Sequence, residues 1–492
     1  MRPPDLFDRE IEWGDLERFV TSSTPGTRVG ILYGRRRLGK SFLLRRLARE
    51  YDGTYYMAIE QEPLPAKQRF ADAVAVRLGL DAGQVQFRDW TEALRTAIGA
   101  QERRRLLILD ELPYLLAHPQ GAELPSVLQA IVDDSRDVRD ATPHRIIVCG
   151  SALSVMSELL SGGKPLRGRA EIDLLLRPFD YRSTAAFYGI ADPEVAFHLY
   201  SIVGGIPGYR DLLGDPSPQT DGDLEQLLLD TVCNPSHALF GEAAYLLRED
   251  PRVTDRALYY SVLAAIAGGA TTPSKIGTVL GRDARSLAHP IDVLTTAGFV
   301  VKDDDVLLQR RPTLRVADPI VRFHELVIAP RKAAFEDRRA EAAWQNALPT
   351  IRSQIFGPAF EVLAREWTRH SASEETTGGA IGEVGSTVVN DSIGRAQHQV
   401  DVVALAEGQR RQSPRARIRV LGEAKDSDRP RRLDDLQRLD DIRRLLVTRG
   451  VDATDARLLL FGRSGFDRDL GRAAAARDDV ELVDLERIRH GV

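Results

Sequence analysis

The chain is poor in cysteine and has no long apolar run. Only Cys149 and Cys233 occur among 492 residues, far apart and outside any CxxC pair. This excludes a zinc ribbon and a disulfide framework. No stretch of about 18 uninterrupted apolar residues is present, so we expect no membrane span. The first residues, MRPPDLFDREIEW, lack the apolar segment of a signal peptide, and a cytoplasmic location is expected.

The sequence also lacks a basic excess and is short of lysine. The formal net charge is -5, so a nucleic-acid partner would have to be recognised at local sites. Apolar residues make up 43% and charged residues 28%, which is typical of globular domains and excludes a disordered or collagen-like chain. Seven lysines stand against 60 arginines. A lysine such as Lys40 or Lys425 therefore marks a place where a compact ammonium is needed.

Four regions follow one another along the chain. Over the first 180 residues, apolar runs alternate with helical periods, the pattern of a parallel α/β sheet. The pattern becomes helical from about Asp192 to Leu247. From about Thr254 to Asp318 it indicates three helices and a β-wing, the order of a winged helix-turn-helix. A second α/β region runs from about Leu348 to Val492, with a predicted hairpin loop at 408–417.

A glycine-rich loop follows the first apolar run. Residues 34–41, GRRRLGKS, fit the pattern GxxxxGK[ST] between a predicted strand and a predicted helix. Such a loop turns backbone N–H groups toward phosphate oxygens, and the helix dipole adds to the attraction. Lys40 would bridge the β- and γ-phosphates of ATP, and Ser41 would bind Mg²⁺. A chance glycine turn is the alternative. The predicted nucleotide-binding residues here are Gly34, Arg35, Arg36, Arg37, Leu38, Gly39, Lys40, Ser41 and Phe42.

A second motif supplies the carboxylates that hydrolysis needs. The apolar run LLILDE ends in Asp110 and Glu111, some 70 residues after the glycine-rich loop. Asp110 would hold Mg²⁺ through water, and Glu111 would polarise the attacking water. The alternative is a buried strand with a solvated acidic end. Together the two motifs predict a nucleotide hydrolase.

These motifs resemble the archaeal-type P-loop ATPases, relatives of the AAA+ and STAND classes. The opening FDRE, the strand RIIVCGSA, the segment KPLRGRAE, the GGIP sequence and VADPIVRF are all similar to motifs of that family. The resemblance implies that Arg9 lies against adenine and Ser151 near the γ-phosphate. It implies that Pro207 senses nucleotide from a helical lid, and that Arg167 and Arg169 are candidate arginine fingers. Either arginine could instead be an ordinary surface cation.

The winged helix gives a mixed signal for DNA binding. Its third helix would carry Arg282, Arg285 and His289, with Pro290 kinking or shortening it. The predicted wing, residues 298–310, contains three consecutive aspartates that would repel phosphate. An internal packing or regulatory role is the alternative.

The last region contains two carboxylates and a lysine on predicted strands. Asp401 lies in one strand, and Glu423 and Lys425 face the same side of another. Such a set can bind Mg²⁺ or Mn²⁺ and stabilise charge on a phosphate, as a metal nuclease requires. The pattern resembles the PD-(D/E)XK nuclease fold, which implies that Glu361 is the helical acid of the site. A nuclease-like fold that has lost activity is the alternative.

We therefore expect an α/β protein built from a P-loop NTPase domain, a helical lid, a winged helix-turn-helix and a restriction-endonuclease-like domain. The predicted boundaries are 1–185, 186–250, 251–330 and 331–492. The expected function is an ATP-hydrolysing switch coupled to a DNA-directed module, with nuclease activity left open. The alternative is a nucleotide-gated DNA- or protein-binding regulator. ATP or ADP and DNA are the expected partners, no membrane is involved, and the oligomeric state is left open.

Overall fold

The computed structural model describes residues 3–99, 105–136, 142–309, 312–391, 395–413 and 416–491. The amino-terminal part contains a parallel sheet whose strands are β1 (Arg28–Tyr33), β2 (Thr54–Met57), β3 (Leu106–Asp110), β4 (Arg145–Gly150) and β5 (Ala170–Leu175). The strand order is β2-β3-β4-β1-β5. The central strands β3 and β4 are buried at every position, as expected of near-continuous apolar runs in a parallel sheet.

Helices connect and cover these strands. They are α1 (Glu10–Thr21), α2 (Lys40–Glu50), α3 (Pro63–Arg77), α4 (Trp90–Ile98), α5 (Leu112–Leu116), α6 (Leu124–Arg136), α7 (Leu153–Glu158) and α8 (Tyr181–Tyr188). Because the strands are parallel, the loops after β1, β3 and β4 meet at one edge of the sheet. That edge holds the glycine-rich loop, the acidic end of β3 and Ser151.

A helical segment follows, as the sequence predicts. It consists of α9 (Pro193–Val203), α10 (Gly208–Leu212), α11 (Asp221–Asp230) and α12 (Glu242–Arg248). Asp192 begins α9 by accepting hydrogen bonds from the amides of Glu194 and Val195 at 2.8 and 2.9 Å. Thr220 begins α11 through a reciprocal capping box with Asp223.

Three helices and a two-stranded antiparallel sheet come next. They are α13 (Arg256–Ala267), α14 (Pro273–Leu280), α15 (Ala288–Thr296), β6 (Val300–Asp303) and β7 (Thr313–Val316).

Two details of this unit differ from the prediction. The third helix begins at Ala288, so the exposed Arg282 and Arg285 lie before it. Pro290 stands in its first turn, where a missing N–H is tolerated.

The predicted wing is also wrong in detail, because the strand that pairs with β6 lies beyond residues 298–310. Residues 304–308 instead contact the carboxy-terminal sheet. The amide of Val306 donates to the carbonyl of Ser386 at 3.1 Å. Asp305 is 3% exposed and accepts a hydrogen bond of 2.7 Å from Thr387 Oγ1.

The last region contains a mixed five-stranded sheet. Its strands are β8 (Ile381–Asp391), β9 (Ala396–Ala406), β10 (Ile418–Lys425), β11 (Arg457–Gly462) and β12 (Val480–Val483), in the order β12-β11-β10-β9-β8. Strand β9 is antiparallel to both β8 and β10, whereas β10, β11 and β12 are parallel to one another. Of the predicted loop at 408–417, residues 414 and 415 lie outside the described ranges.

Eight helices precede and cover this sheet. They are α16 (Pro319–Phe323), α17 (Lys332–Glu336), α18 (Ala340–Thr350), α19 (Gly357–His370), α20 (Glu374–Thr377), α21 (Leu433–Thr448), α22 (Arg468–Ala475) and α23 (Leu485–His490). π-helical turns at His324–Ile328 and Ile351–Phe356 extend α16 and lead into α19.

One continuous hydrophobic core joins the four predicted domains. It runs from Leu6 through the helical segment to Ile488. The boundaries at 185, 250 and 330 stay predictions, because this core crosses all of them. Within the described ranges, no helix is both long enough and apolar enough to cross a membrane.

Candidate functional site

The glycine-rich loop lies between β1 and α2, as its sequence predicts. Gly39 has φ 88° and Gly34 has φ 157°, values that L side chains rarely adopt. A Cβ atom at Gly34 would lie 2.5 Å from the carbonyl oxygen of Leu176, so the loop also needs glycine there for space. Leu38 anchors the loop in the core, being 2% exposed.

Lys40 is the first residue of α2 and is 4% exposed. Its Nζ donates to the carbonyl oxygen of Arg35 at 2.8 Å, which turns the ammonium back toward the loop. Burial lowers the pKa of Lys40, and the nearby Cys149, Glu111 and Asp110 act in the opposite direction. The ammonium thus lies at the acidic end of β3.

The residues that follow Lys40 are more accessible. Ser41, the second residue of α2, is partly exposed. Phe42 is 43% exposed, and the guanidinium of Arg46 lies 4.9 Å from the centre of its ring. The role of Ser41 as a ligand of Mg²⁺ stays a prediction.

The acidic end of β3 is held by two hydroxyl groups. Asp110 is fully buried, and one carboxylate oxygen accepts a hydrogen bond of 2.6 Å from the hydroxyl of Tyr55. Glu111 has a left-handed backbone, φ 55° and ψ 44°. Its carboxylate accepts hydrogen bonds from the Oγ and the amide of Ser151 at 2.7 and 3.2 Å. The structure thus brings Lys40, Asp110, Glu111 and Ser151 together.

Sequence reasoning missed Tyr55. It lies in β2, a strand that was not predicted, directly beside β3 in the register Tyr55 to Ile108. Recognising TYYM as the strand next to β3 would have brought Tyr55 close to Asp110.

The three arginines of the loop each bind an acid from later in the chain. These acids belong to the helical segment, its end and the start of α16. The pairs are Arg35 with Asp318, Arg36 with Glu249, and Arg37 with Glu242. The Arg37 pair is bidentate, at 2.8 and 3.2 Å, and its Glu242 is 2% exposed. The glycine-rich loop is therefore tied to the rest of the molecule by charge.

The helical segment also reaches the loop through its backbone. Pro207 precedes α10, and the amide of Gly208 donates to the carbonyl of Arg37 at 3.0 Å. A Cβ atom at Gly208 would lie 2.8 Å from the Cβ atom of Arg37 and 3.0 Å from its carbonyl oxygen, so this approach requires glycine. Pro207 thus lies next to the glycine-rich loop.

Arg9 lies beside the end of β5. It is 7% exposed, pairs with Glu12 at 3.0 Å and donates to the carbonyl of Arg177 at 2.8 Å. Its guanidinium lies 4.5 Å from the centre of the Phe179 ring. Phe7 packs on the same ring at 5.5 Å. Phe7, Phe179 and Arg9 form an aromatic wall beside the end of β5, the edge strand that pairs with β1.

The two candidate arginine fingers are elsewhere in the structure. Arg169 precedes β5, at the opposite end of that strand from the glycine-rich loop, roughly 20 Å away for a six-residue strand. It forms a bidentate pair with Asp133 at 2.9–3.1 Å. Arg167 donates to the carbonyl of Gly162 at 2.7 Å. The structure does not bring either arginine to the glycine-rich loop of its own chain.

In the carboxy-terminal sheet, Asp401 and Glu423 lie on neighbouring antiparallel strands. The register Val402 to Gly422 places them directly opposite each other, on the same face. Asp401 is 7% exposed and accepts hydrogen bonds from the amide of Ala424 at 3.0 Å and from Gln399 at 2.9 Å. Burial raises the pKa of Asp401. The predicted juxtaposition of the two strands is present.

Glu361 approaches Asp401 from α19. Burial and, next, the negative charge of Asp401 raise the pKa of Glu361 to about 7, while Arg365 and Arg322 oppose the shift. Arg365 lies 4.0 Å from the Glu361 carboxylate and donates to the carbonyl of Asp401 at 2.9 Å.

Glu423 faces cations of the protein itself. Arg431 and Arg438 approach its two oxygens at 3.6 and 3.5 Å. Burial raises the pKa of Glu423, and the two arginines oppose the rise. Lys425 is exposed at the end of β10.

The predicted carboxy-terminal metal site stays a prediction. The ligand atoms of Glu361, Asp401 and Glu423 do not all lie within 4.8 Å of one another. In the described part of the chain, only Glu194, His198 and Asp221 form a set that close. Sequence reasoning missed this set, although Glu194 and His198 lie four residues apart on a predicted helix. Its Glu194 already pairs with the guanidinium of Arg463.

The parallel sheet, the glycine-rich loop and the buried Lys40 beside two carboxylates define the amino-terminal part as a P-loop nucleotide-binding domain. Residues 6–210 match a family model described as an ATPase domain predominantly from Archaea. This part of the chain is thus similar to ATPase domains of that family over residues 6–210.

Known proteins resemble a larger share of the chain. An uncharacterized protein of Methanocaldococcus jannaschii is 25% identical over 368 residues, covering 73% of this chain and 76% of that protein. The Walker-type ATPase PABY2304 of Pyrococcus abyssi is similar over 66% of this chain and 97% of its own, with a TM-score of 0.49 and 22% identity. The ORC2 protein of Aeropyrum pernix, solved in ADPNP and ADP complexes, is similar over 69% of this chain and 97% of its own. Its TM-score is 0.45 and its sequence identity 14%.

Proposed function

We propose that the protein is an ATP-binding and ATP-hydrolysing switch that controls a DNA-directed carboxy-terminal module. The observation that carries this proposal is the convergence of Lys40, Asp110, Glu111 and Ser151 at the end of the glycine-rich loop. Lys40 and the loop amides would hold the phosphates. Ser41 and Asp110 would hold Mg²⁺, which neutralises charge on the phosphates. Glu111, oriented by Ser151, would orient the attacking water.

The residues present fit a bound nucleotide. Arg35 Nη2 is buried, and among the described residues it has no hydrogen-bond partner. Such a donor is costly to leave unsatisfied, and a phosphate oxygen is a suitable acceptor for it. The aromatic wall around Arg9 supports the proposal that adenine binds on that side.

Titration calorimetry with ATP and Mg²⁺, followed by a phosphate-release assay, tests this proposal. We expect binding and slow hydrolysis. No ATP affinity in the wild-type protein would overturn it.

The unit α13–β7 is proposed to be a winged helix that contacts DNA. The exposed Arg282, Arg285 and His289 support contact through the start of α15. The predicted wing contacts the carboxy-terminal sheet instead of DNA in this proposal, because Asp305 is buried against Thr387. Fluorescence anisotropy with duplex DNA should show weaker binding for the double variant R282E/R285E, and a reduced dependence on salt. Equal affinity in the variant would contradict DNA contact here.

Metal-dependent nuclease activity is a second candidate function. The shared face of Asp401 and Glu423 favours it, whereas the pairing of Glu423 with Arg431 and Arg438 favours the non-cutting regulator. Incubation of plasmid with Mg²⁺ or Mn²⁺, with and without ATP, separates the two. If the plasmid is cut, the variant K425R should cut almost as poorly as K425A, because a guanidinium does not replace a compact ammonium. An intact plasmid under all conditions would favour the regulator.

A further inference from the structure

Helix α16 lies between the glycine-rich loop and the carboxy-terminal carboxylates. Asp318 caps its first turn, and Arg322 follows four residues later, about 6 Å along the helix. Ile320, Val321 and Phe323 are at most 1% exposed, so the helix is held firmly in the core. A displacement at one end of so short and tightly packed a helix moves the other end as well.

The first end of α16 is bound to the glycine-rich loop. One oxygen of Asp318 accepts from the amide of Val321 at 3.0 Å, and the other accepts from Arg35. Asp318 is 1% exposed, so this pair is shielded from solvent. The carbonyl of the same Arg35 accepts from Lys40. A phosphate that attracts Lys40 and the free Nη2 of Arg35 would therefore act on both bonds that hold this arginine.

The second end of α16 is bound close to the carboxy-terminal carboxylates Glu361 and Asp401. Arg322 donates to the carbonyl of Gln354, in the π-helical turn directly before α19. Its charge attracts Glu361, which is the carboxylate that α19 contributes. Burial lowers the pKa of Arg322 to about 10, with Arg315 adding to the effect.

We propose that α16 transmits the occupancy of the glycine-rich loop to Glu361 and Asp401, with Asp318 and Arg322 as positioning residues at its two ends. This inference rests on the proposed ATP-dependent switch and assigns it a route. Nucleotide binding weakens the Arg35–Asp318 pair, α16 shifts, and Arg322 carries the start of α19 with it.

Hydrogen–deuterium exchange on the full chain tests this route without relying on DNA cleavage. Calorimetry first establishes the concentration of a non-hydrolysable ATP analogue with Mg²⁺ that saturates each protein. In the wild type, the analogue should change the exchange of amides in 357–370 by about five-fold or more, the lower end of usual allosteric coupling. R322Q should bind the analogue as the wild type does and lose this change. The exposed control R256Q should keep it.

D318N tests the other end of the helix and covers the case in which R322Q fails to fold. It should also lose the change at 357–370 when saturated. Analogue binding by the wild type without a change at 357–370 would overturn the route, as would a full change in both R322Q and D318N. A wild type that does not bind the analogue fails already in calorimetry, and the proposed function then falls together with the route.

Discussion

At the scale of single residues, the nucleotide site depends on side chains that hold the two carboxylates of β3. Asp110 is buried, so a carboxylate oxygen without a donor there would be costly. Tyr55 supplies the donor at 2.6 Å, and burial, followed by the bond to Asp110, raises the pKa of Tyr55. The phenol therefore stays protonated and donating at neutral pH.

Removing that hydroxyl should impair hydrolysis and stability together. Y55F should lower the free energy of unfolding by about 1–3 kcal/mol, because a buried acceptor loses its donor. It should lower kcat more than it raises KM, since Asp110 is proposed to act on the metal ion and not on the adenine base of ATP. The matched control is Y56F, whose hydroxyl donates to the carbonyl of Ala66 at 3.1 Å, away from the site. Equal kcat values for the two variants would contradict a positioning role for Tyr55.

Lys40 and Glu111 should separate binding from turnover. K40A should abolish ATP binding in calorimetry, because the ammonium that neutralises phosphate charge in the loop is lost. E111Q should keep binding and lose turnover by roughly 10²-fold or more, the usual scale for a lost general base. K67A, at a partly exposed lysine on α3, is the control for K40A. Normal hydrolysis by E111Q would remove Glu111 from the mechanism.

At the scale of elements, local motifs were predictable and distant partners were not. The glycine-rich loop directly follows its strand and leads directly into its helix, so the sequence alone placed Lys40. The acids that bind its arginines lie about 200–280 positions later and look like ordinary surface acids in the sequence. The missed strands have physical reasons too. Polar residues or glycines interrupt the apolar pattern in β2, β5, β7, β8 and β12, and all of these except β8 are only four to six residues long.

The GGIP segment should couple nucleotide to the helical segment. P207A should leave ATP affinity within a few-fold, because the phosphate contacts come from the loop and not from the proline. It should alter the nucleotide-dependent pattern of limited proteolysis beyond residue 200, since Gly208 is bonded to Arg37. P193A, at the first turn of α9, is a control in the same segment. One digestion pattern with ADP, with ATP and in both variants would contradict this coupling.

The segment after β6 should act as a docking element. D305A removes a buried carboxylate that accepts from the amides of Leu307 and Leu308 and from Thr387. We expect a loss of about 1–3 kcal/mol in the free energy of unfolding, measured by denaturant titration. D304A, at the exposed neighbouring position, should change it by less than about 0.5 kcal/mol. Equal losses of stability in D305A and D304A would show that the contact between Asp305 and Thr387 is unimportant for docking.

At the scale of the whole molecule, charge is concentrated where units meet. The three loop arginines bind acids of later elements, and Arg463 joins Glu194 of the helical segment to Asp426 and Asp428 of the last region. The hydrophobic core continues through the same junctions. We therefore expect the chain to unfold with few separable transitions, and to respond to ATP as a connected body rather than as independent domains.

The buried carboxylates should make the stability of this body depend on pH. The pKa of Glu361 is about 7 in the folded chain and 4.5 in the unfolded chain. Between these values the folded state holds a proton that the unfolded state releases, so stability falls as pH rises from about 4.5 to 7. Glu361→Gln removes this loss. In chelator-treated buffer it should raise the free energy of unfolding at pH 8 by about 1 kcal/mol or more, since one unit of pKa shift is worth 1.36 kcal/mol.

At pH 4 the same substitution should have little effect, because the carboxyl is then protonated in both states. Glu374→Gln, at an exposed position of α20, is the control and should show no such pH dependence. Adding Mg²⁺ or Mn²⁺ gives a second measurement. A cation that binds the folded carboxylates raises Tm by mass action and opposes the loss at high pH. If the wild type and Glu361→Gln have parallel stability curves from pH 4 to 8, Glu361 is not held protonated by its surroundings.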